Sequence, residues 1–479
     1  MHWVLQQYGG PSKSEASPPD FLARQLHEPT PGISLLSSAA PKLGSNYWKL
    51  LISSVVSNFG DGISTIAYPW LASAVTRDPL QIALIGVATR IPWLVFTLPA
   101  GVIADRVDRR KLIAWTDTFR FALTLAVAFT VLLAGSDLAD PDAIAGGTAA
   151  TPERAGLLLG VLYASALLFG FAEVLRDNAA QTLMPSIVDK SLLEKANGRL
   201  WGGEMVMNSF LGPVLGGFII AITFSLPFFI DAVTFAVAAA LLFTMRGSFV
   251  AEQAADRPSF VGQIKEGFGW LWNHRLLRVM GIILGVMNAM FSMALATYVL
   301  FVQEILELDA SRFGLLMTSG ALGGVIGSFT APSISKAIGP GASLFITLLG
   351  SGVTLILTGV TSSWIVVWFL FFIGAFLAVL WNVITVSLRQ TIIPDGLLGR
   401  VNSVYRFFAW GMMPLGMLAG GAIVAVVEAV WSRDLALRMP FYVGGAVYGL
   451  LFVVALPVLN TRQIERARTD AEARPADHS

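Results

Sequence analysis

The stretch GVIADRVDRR, Gly101 to Arg110, places five charges within six residues between two long apolar runs. Of the 479 residues in the chain, 55% are hydrophobic and only 13% are charged, and the mean hydropathy is +0.69. Soluble domains are about one-quarter charged, so this composition favours a membrane protein. Apolar runs of the roughly 20 residues that cross a hydrocarbon core recur from Leu50 to Leu459, whereas a barrel would show short alternating strands. We therefore predict an all-α, multi-pass membrane protein.

Charge and residue content exclude several classes of function. The formal net charge of +1 gives no reason to expect a nucleic-acid partner. Cysteine is absent, and the four histidines lie near the termini or in polar loops, so neither a disulfide nor a metal site is expected. The chain has no G-x-x-x-x-G-K-[ST] run for ATP, and no nucleophile, base and orienting partner can be assembled from the apolar runs. We predict neither an enzyme nor a bound cofactor.

Gly, Pro and charged residues divide the apolar runs into about twelve predicted spans in two sets of six. Spans 1 to 6 are predicted at 48–74, 82–104, 111–134, 156–178, 200–223 and 226–245. Spans 7 to 12 are predicted at 278–303, 312–335, 341–361, 364–387, 403–428 and 438–459. The corresponding domains are a disordered tail (1–46), a first bundle (47–245), a linker (246–277), a second bundle (278–460) and a C-terminal tail (461–479).

The linker contains an amphipathic pattern. Phe260, Ile264, Phe268 and Leu271 share one face of a helix, which predicts a helix lying on the membrane surface.

Lysine and arginine concentrate in the loops after even-numbered spans, whereas the loop after span 3 is mainly acidic and the loop after span 9 is uncharged. The positive-inside rule then places the even-numbered loops and both termini in the cytoplasm. The predicted location is the plasma membrane.

The two sets of spans resemble each other. QTLMPSIVDKSLLEKANGRL at 181–200 is echoed by QTIIPDGLLGRVNSVYRF at 390–407, and both lead to glycine-rich segments, LGPVLGG and LGMLAGG. A duplicated six-helix unit predicts two pseudo-symmetric bundles around a central cavity.

The pattern Gly101-x-x-x-Asp105-Arg106-x-x-Arg109-Arg110, between spans 2 and 3, resembles the signature of the major facilitator superfamily. SNFGDG, LRDNAAQTLMP, ANGRL, GPVLGG and PFFIDAVTF match as well, and the resemblance extends from about Tyr47 to Leu459. Together these segments are similar to the bacterial branch that includes the enterobactin exporter and macrolide efflux proteins. The resemblance implies a secondary transporter that works by alternating access.

The charged stretch is then expected to be a conformational latch, made of Gly101, Asp105, Arg106, Arg109 and Arg110. Asp105 can accept hydrogen bonds from the N-terminus of span 11, and Gly101 permits a close approach. The arginines can pair with carboxylates and lipid phosphates. Such a latch would stabilise the outward-open state; a plain topogenic loop is the alternative, and it explains the arginines only. The matching place in the second half keeps Lys336 as its only charge, so the latch is expected to be one-sided.

In span 5, GPVLGG resembles the antiporter signature of the same superfamily. Gly212, Pro213, Gly216 and Gly217 are expected to allow a kink and tight packing that limits leak, with plain helix packing as the alternative.

Ionisable residues at membrane depth are costly unless paired or wetted, so they are functional candidates. Asp61 in span 1 and Arg90 in span 2 are predicted to pair, either as a switch operated by a proton or substrate or as a static salt bridge. Glu173 and Glu204 are further proton-coupling candidates. Three residues are assigned positional roles near helix ends: Arg120, Arg176 and Asp177. Spans 7 to 12 carry almost no internal charge, which places proton coupling in the first half.

Amides, thioethers and flat aromatic rings suit a large, partly apolar ligand. The substrate-cavity candidates chosen on this basis are Asn58, Asn288, Met290, Trp381 and Asn382. Lipid contact or helix packing is the alternative for each.

The resemblance, together with the charged residues at membrane depth, implies a proton-coupled exporter of amphipathic small molecules, such as a drug, macrolide or siderophore. We expect a monomer whose partners are this substrate, protons and the lipid bilayer. A lipid or lysolipid flippase, or an importer, on the same fold is an open alternative. A non-transporting membrane scaffold or sensor is the alternative of another class.

Overall fold

A computed structural model describes residues 42–134, 138, 152–250 and 260–472, so most of the predicted N-terminal tail lies outside the described residues. The elements within these ranges are all helical. Eleven of the helices are long and apolar enough to cross a membrane, and the shorter apolar helix Pro79–Val95 belongs to the remaining span. The prediction of an all-α membrane protein with about twelve spans is confirmed.

The first half of the molecule contains spans 1 to 6. Their bounds are Ser45–Val75 for span 1, Pro79–Val95 and Thr97–Arg106 for span 2, Arg109–Ala134 for span 3, Ala155–Ile187 for span 4, Leu193–Val206, Met207–Leu211 and Gly212–Ile220 for span 5, and Leu226–Phe243 for span 6.

The linker helix, Phe260–Asn273, leads into the second half. The bounds there are Arg275–Ala296 and Tyr298–Glu304 for span 7, Ala310–Ile338 for span 8, Pro340–Val360 for span 9, Trp364–Ile392 for span 10, Asp395–Val430 for span 11 and Arg433–Ala455 for span 12. A C-terminal helix, Thr461–Glu472, follows.

Spans 4 and 11 are longer than predicted. Span 4 continues past residue 178 to Ile187, and span 11 begins at Asp395 instead of 403. The added turns are polar, which led the sequence analysis to treat them as loops. A helix can project beyond the bilayer, because its backbone hydrogen bonds are satisfied within the helix in water as well as in lipid.

The C-terminal segment 461–479, which is predicted as a tail, packs in part against the second half. It forms a helix of 12 residues whose Ile464 is fully buried in the core of the second half. Its first residue also packs closely, since a Cβ on Gly341 would lie 2.3 Å from the Thr461 nitrogen. Apolar residues at Ile464, Ala467 and Ala471 give the charged segment one face that can be buried.

Among the described residues, the two halves share a core at one end only. We call the end that carries the 101–110 loop the basic end, and the opposite end the far end. At the far end a single apolar cluster contains residues of both halves, with the Trp70 and Phe313 ring centroids 5.8 Å apart. At the basic end the two described clusters each belong to one half. The halves are therefore closed against each other at the far end.

Candidate transport site

A central cavity of about 420 Å³ lies between the two halves. Its polar wall comes from the first half and consists of Asp61, Ser64, Thr65, Thr89, Arg90, Arg120, Glu173, Asn208 and Asp231. The second half contributes an apolar wall of Leu295, Ala296, Tyr298, Val299, Phe313, Met317 and Met417. The cavity is thus charged on one side and apolar on the other.

Asp61 forms its ion pair with Arg120 of span 3, so the predicted pair with Arg90 is wrong. The Arg120 guanidinium lies 4.0 Å above the centre of the Phe235 ring and donates to the Ser57 hydroxyl at 3.3 Å. These contacts hold Arg120 beside span 1. Arg90 lines the same cavity, and the described residues give it no ion pair.

Arg120 and Arg176 are buried mid-bundle residues, which corrects their predicted place near helix ends. Arg176 Nε donates to Oδ1 of Asp117 at 3.1 Å, and its Nη2 donates to the Ser54 hydroxyl at 3.3 Å. Asp117, which the sequence analysis assigned no role, also lies 3.7 Å from the guanidinium of Arg120. This carboxylate, fully buried, therefore joins both arginines and ties spans 1, 3 and 4 together.

Asp231 of span 6 is a second residue that the sequence analysis missed. Its side chain is only 1% exposed and accepts a hydrogen bond of 2.6 Å from the Ser64 hydroxyl, with Thr234 Oγ1 at 3.4 Å. Gly60 leaves it room, since a Cβ there would lie 2.1 Å from Oδ1. Among the described residues no cation lies within ion-pair distance of it. A buried carboxylate without a counter-charge is costly, so this environment suits a protonated carboxyl.

The other two predicted proton-coupling residues differ in position. Glu173 lines the cavity and accepts a long hydrogen bond of 3.4 Å from Trp93 Nε1. Glu204 lies next to Ser54, whose hydroxyl accepts a hydrogen bond from Arg176. It is not part of the described cavity wall.

The five predicted substrate-cavity residues do not form the described wall of this cavity. Trp381 is fully buried in the core of the second half, so its assignment is wrong. The Asn288 amide donates to the Ala409 carbonyl at 2.7 Å, and Met290 packs against the same core. Asn58 and Asn382 donate to carbonyl groups one turn earlier on their own helices. Residue type suggested these candidates, but type does not determine which way a side chain faces.

The span 5 motif packs helices tightly at two interfaces. A Cβ on Gly212 would lie 2.6 Å from the Gly62 Cα of span 1, and a Cβ on Gly216 would lie 2.9 Å from the Ile63 carbonyl oxygen. Gly217 faces span 8 of the other half, where a Cβ on this residue would lie 2.4 Å from the Ala310 carbonyl oxygen. A π-helical turn, Met207–Leu211, precedes Pro213, whose ring nitrogen cannot donate a helical hydrogen bond.

The loop of the predicted latch is tied to the first half. Arg109 Nη1 donates to the Thr182 carbonyl at 2.8 Å, and Arg110 donates to the Met245 carbonyl. Arg106 is exposed. A Cβ on Gly101 would meet no atom of the described residues within 4 Å, and the Asp105 side chain lies outside the described residues. The contact with span 11 therefore stays a prediction.

Asp108 anchors this loop to the segment after span 6. Its carboxylate accepts hydrogen bonds from the backbone N–H groups of Lys111, at 3.1 Å, and Phe249, at 3.2 Å. Burial acts to raise the pKa of Asp108, but these hydrogen bonds and the nearby Arg110 outweigh burial, so the pKa lies below its ordinary value.

A charged network joins the two halves at the far end. Arg77, in the loop after span 1, pairs with Glu304 of span 7 and donates to Gln303 at 2.5 Å. Glu304 also binds Arg433 of span 12 at 2.6 Å, and Arg433 pairs with Glu428 at 2.7 Å. We call these four charged residues the far-end network; the sequence analysis missed it because its members lie in four separate segments.

Two pseudo-symmetric six-span halves, closed at one end over a cavity, define a secondary transporter of the major facilitator superfamily. The family model described as "Transmembrane secretion effector" matches residues 36–472, and the chain belongs to this family. The resemblance stated from the sequence is confirmed.

The chain is similar to curated exporters. It is 23% identical over 411 residues to the multidrug efflux pump Tap of Mycolicibacterium fortuitum, covering 83% of this chain and 93% of that protein. It is 22% identical over 441 residues to the enterobactin exporter EntS of Escherichia coli O1:K1 / APEC, covering 91% of this chain and 96% of that protein.

Among solved structures, the fold matches a bacterial homologue of the iron transporter ferroportin in its inward-facing state. The TM-score is 0.65 at 19% identity, over 86% of this chain and 98% of that one. The outward-facing state of such a homologue gives a TM-score of 0.53 at 18% identity, over 86% and 99% of the two chains.

Proposed function

We propose that this protein exports amphipathic small molecules in exchange for protons, by opening its two ends in turn. The central cavity carries the proposal, because a charged wall on the first half faces an apolar wall on the second. A ligand with a polar part and a large apolar part would contact both walls at once. The names of the relatives, an efflux pump and a siderophore exporter, support export as the direction.

The proposed orientation places the basic end in the cytoplasm of a plasma-membrane protein, since lysine and arginine concentrate there. The far-end core shared by both halves then corresponds to a state open toward the cytoplasm. The better match to an inward-facing structure than to an outward-facing one supports this assignment.

Two carboxyl groups would carry protons in this scheme. Asp61 faces the cavity and binds Arg120, so a proton or a cationic group on Asp61 would release the arginine. Arg120 would keep its contacts with Asp117 and Phe235. Asp231 would hold its proton between Ser64 and the cavity. Glu173, on the same wall, offers a third position.

The latch would act at the cytoplasmic end in the opposite conformation. Support comes from the open space at Gly101, which another helix can fill when the basic end closes.

Uptake into inverted membrane vesicles tests the proposal. A panel of amphipathic drugs, a siderophore and a lysolipid is measured with and without an inward-acidic proton gradient. We expect gradient-dependent uptake of at least one drug or siderophore. Gradient-independent movement of the lysolipid alone would favour a flippase, and uptake only in right-side-out vesicles would favour an importer.

Variants that replace a carboxyl group by a neutral amide test which residue carries the exchanged proton. Asp61→Asn and Asp231→Asn should remove the gradient dependence, whereas Asp434→Asn, an exposed carboxylate at the far end, should behave as the wild type. Retained gradient dependence in both test variants would place the proton site elsewhere.

A further inference from the structure

A second cavity, of about 310 Å³, lies at the side of the bundle near the basic end. We call it the lateral pocket. Its walls come from span 2, from span 11 and from the linker helix, and so from both halves of the molecule. The lining residues used below are Trp93, Phe268, Ser403, Arg406, Phe407 and Trp410.

The lateral pocket is separate from the central cavity. Trp93, in the wall of the lateral pocket, packs against Trp410 with the ring centroids 4.8 Å apart. The Trp93 indole N–H points the other way, toward Glu173 on the wall of the central cavity. No described residue lines both cavities.

The walls of the lateral pocket are aromatic and remain accessible. Phe407 is 56% exposed, and Phe268 and Trp410 are also exposed. Ile264 and Phe268, on the predicted apolar face of the linker helix, line the pocket, and Phe268 stacks on Trp272 of the same helix. Tryptophan is enriched at the membrane–water interface, so an accessible Trp410 near the basic end suits contact with lipid.

Arg406 supplies the one cationic group among the described lining residues. Its guanidinium lies 5.5 Å from the centre of the Trp410 ring, and the described contacts give it no carboxylate partner. The preceding arginine of the same span differs, because Arg400 Nη1 binds Glu266 of the linker helix at 2.5 Å. Arg406 is therefore available to an anion from outside the protein.

The depth of Arg406 fits a lipid headgroup. Span 11 runs from Asp395 to Val430, and its polar first turns would project into water at the basic end. Arg406 immediately precedes the apolar run that begins at Phe407, so it lies near the boundary of the hydrocarbon core. From this position a long arginine side chain reaches the headgroups.

We propose that an acidic phospholipid from the leaflet at the basic end binds in the lateral pocket. Its phosphate would pair with Arg406, and one acyl chain would lie along Phe268, Phe407 and Trp410. Basic pockets between transmembrane helices recognise acidic headgroups in this way. Because both halves and the linker helix form the walls, the bound lipid would stabilise the present arrangement of the halves over one in which spans 2 and 11 separate.

Quenching of tryptophan fluorescence by brominated phosphatidylglycerol tests the site on the purified full chain, since Trp93 and Trp410 lie in its wall. Brominated phosphatidylcholine and inorganic phosphate are the comparison probes. We expect saturable quenching by phosphatidylglycerol in the wild type, at least tenfold weaker apparent affinity for phosphatidylcholine, and no displacement by inorganic phosphate.

Two variants test the headgroup contact and the acyl-chain contact separately. Arg406→Gln should weaken phosphatidylglycerol binding at least tenfold, and Ser403→Phe, which fills the pocket from an exposed position, should reduce the quenching by either lipid. Arg312→Gln, an exposed arginine at the far end, is the matched control and should bind as the wild type.

Equal affinity of the wild type and Arg406→Gln for phosphatidylglycerol would overturn the proposal. Displacement by inorganic phosphate alone would show that the pocket binds phosphate and not a lipid. Unchanged quenching in Ser403→Phe would show that the acyl chain does not lie in the pocket. Because the readout is binding, it does not depend on whether the protein transports the proposed substrates.

Discussion

Glu304→Gln should shift the protein toward the conformation that is open at the far end. Arg77 belongs to the first half, and Glu304, Glu428 and Arg433 belong to the second. The pair between Arg77 and Glu304 therefore has to break when the far end opens. The pairs of Arg433 with Glu304 and Glu428 lie within the second half and need not change.

The size of the shift follows from the contact between the halves that Glu304→Gln weakens, the pair of Glu304 with Arg77. The Arg77 and Glu304 side chains are 29% and 18% exposed, between a surface pair and a buried one. Exposed pairs contribute about 0–1 kcal/mol and charge-assisted hydrogen bonds about 1.5–3 kcal/mol, so about 1.5 kcal/mol is a fair value here. That energy changes the ratio of the two conformations about tenfold.

The distance between two spin labels at the far end measures this ratio. The chain has no cysteine, so Ile222→Cys in the first half and Ser363→Cys in the second introduce the only two labelling sites. Both positions are exposed. We expect Glu304→Gln to increase the long-distance population about tenfold.

Asp434→Asn is the control for the same labels, because Asp434 pairs with Arg438 one turn away on span 12 and the pair lies within the second half. It should leave the distribution unchanged. An unchanged distribution in Glu304→Gln, or an equal shift in Asp434→Asn, would refute the reasoning that the far-end network holds this end closed.

Three further predictions concern packing and the charged loop. Gly212→Ala should lower the melting temperature of the purified protein, because its Cβ would lie 2.6 Å from the backbone of Gly62 and overpacking costs about 1–3 kcal/mol; Gly198→Ala, with no atom within 4 Å, should not lower it. Asp108→Asn should lower the melting temperature by an amount that is constant from pH 7 to 5. Since the folded pKa of Asp108 is depressed, this difference should shrink only below the unfolded pKa of about 3.9, as the native carboxylate also gains its proton. Asp105→Asn should reduce transport while leaving expression intact, and unchanged transport would contradict the latch.

Much of the fold could be predicted from the sequence, since apolar runs of span length can be read directly. The errors in helix bounds occur where a helix continues through residues that are polar in sequence. Span 11 begins at Asp395 although its first turns are polar, and the C-terminal helix has only a narrow apolar face around Ile464. Hydropathy reports where a helix crosses lipid, but it does not report where the helix starts or ends in water.

The candidate site was predicted less well, because pairing depends on which way each residue faces. The rule that selected Asp61 and Arg90 also applied to Asp231, which interrupts an apolar run in PFFIDAVTF, and to the Asp117 and Arg120 pair three residues apart on span 3. Those signals were present in the sequence. No signal in the sequence indicated that Asp61 would pair with Arg120 instead of Arg90. That pairing depends on the tertiary contact between the Arg120 guanidinium and the face of the Phe235 ring of span 6.

The ion pairs show how the two halves divide their roles. Among the described pairs that link transmembrane spans or their loops, only Arg77 with Glu304 joins one half to the other. The buried pairs of Asp61, Asp117, Arg120 and Arg176 all lie within the first half. Since a group can shift a conformational equilibrium only through contacts that differ between the two states, breaking these buried pairs cannot by itself separate the halves. In the proposed proton exchange, a proton on Asp61 would therefore act by changing what Arg120 and the cavity wall present to the second half and to the proposed substrate.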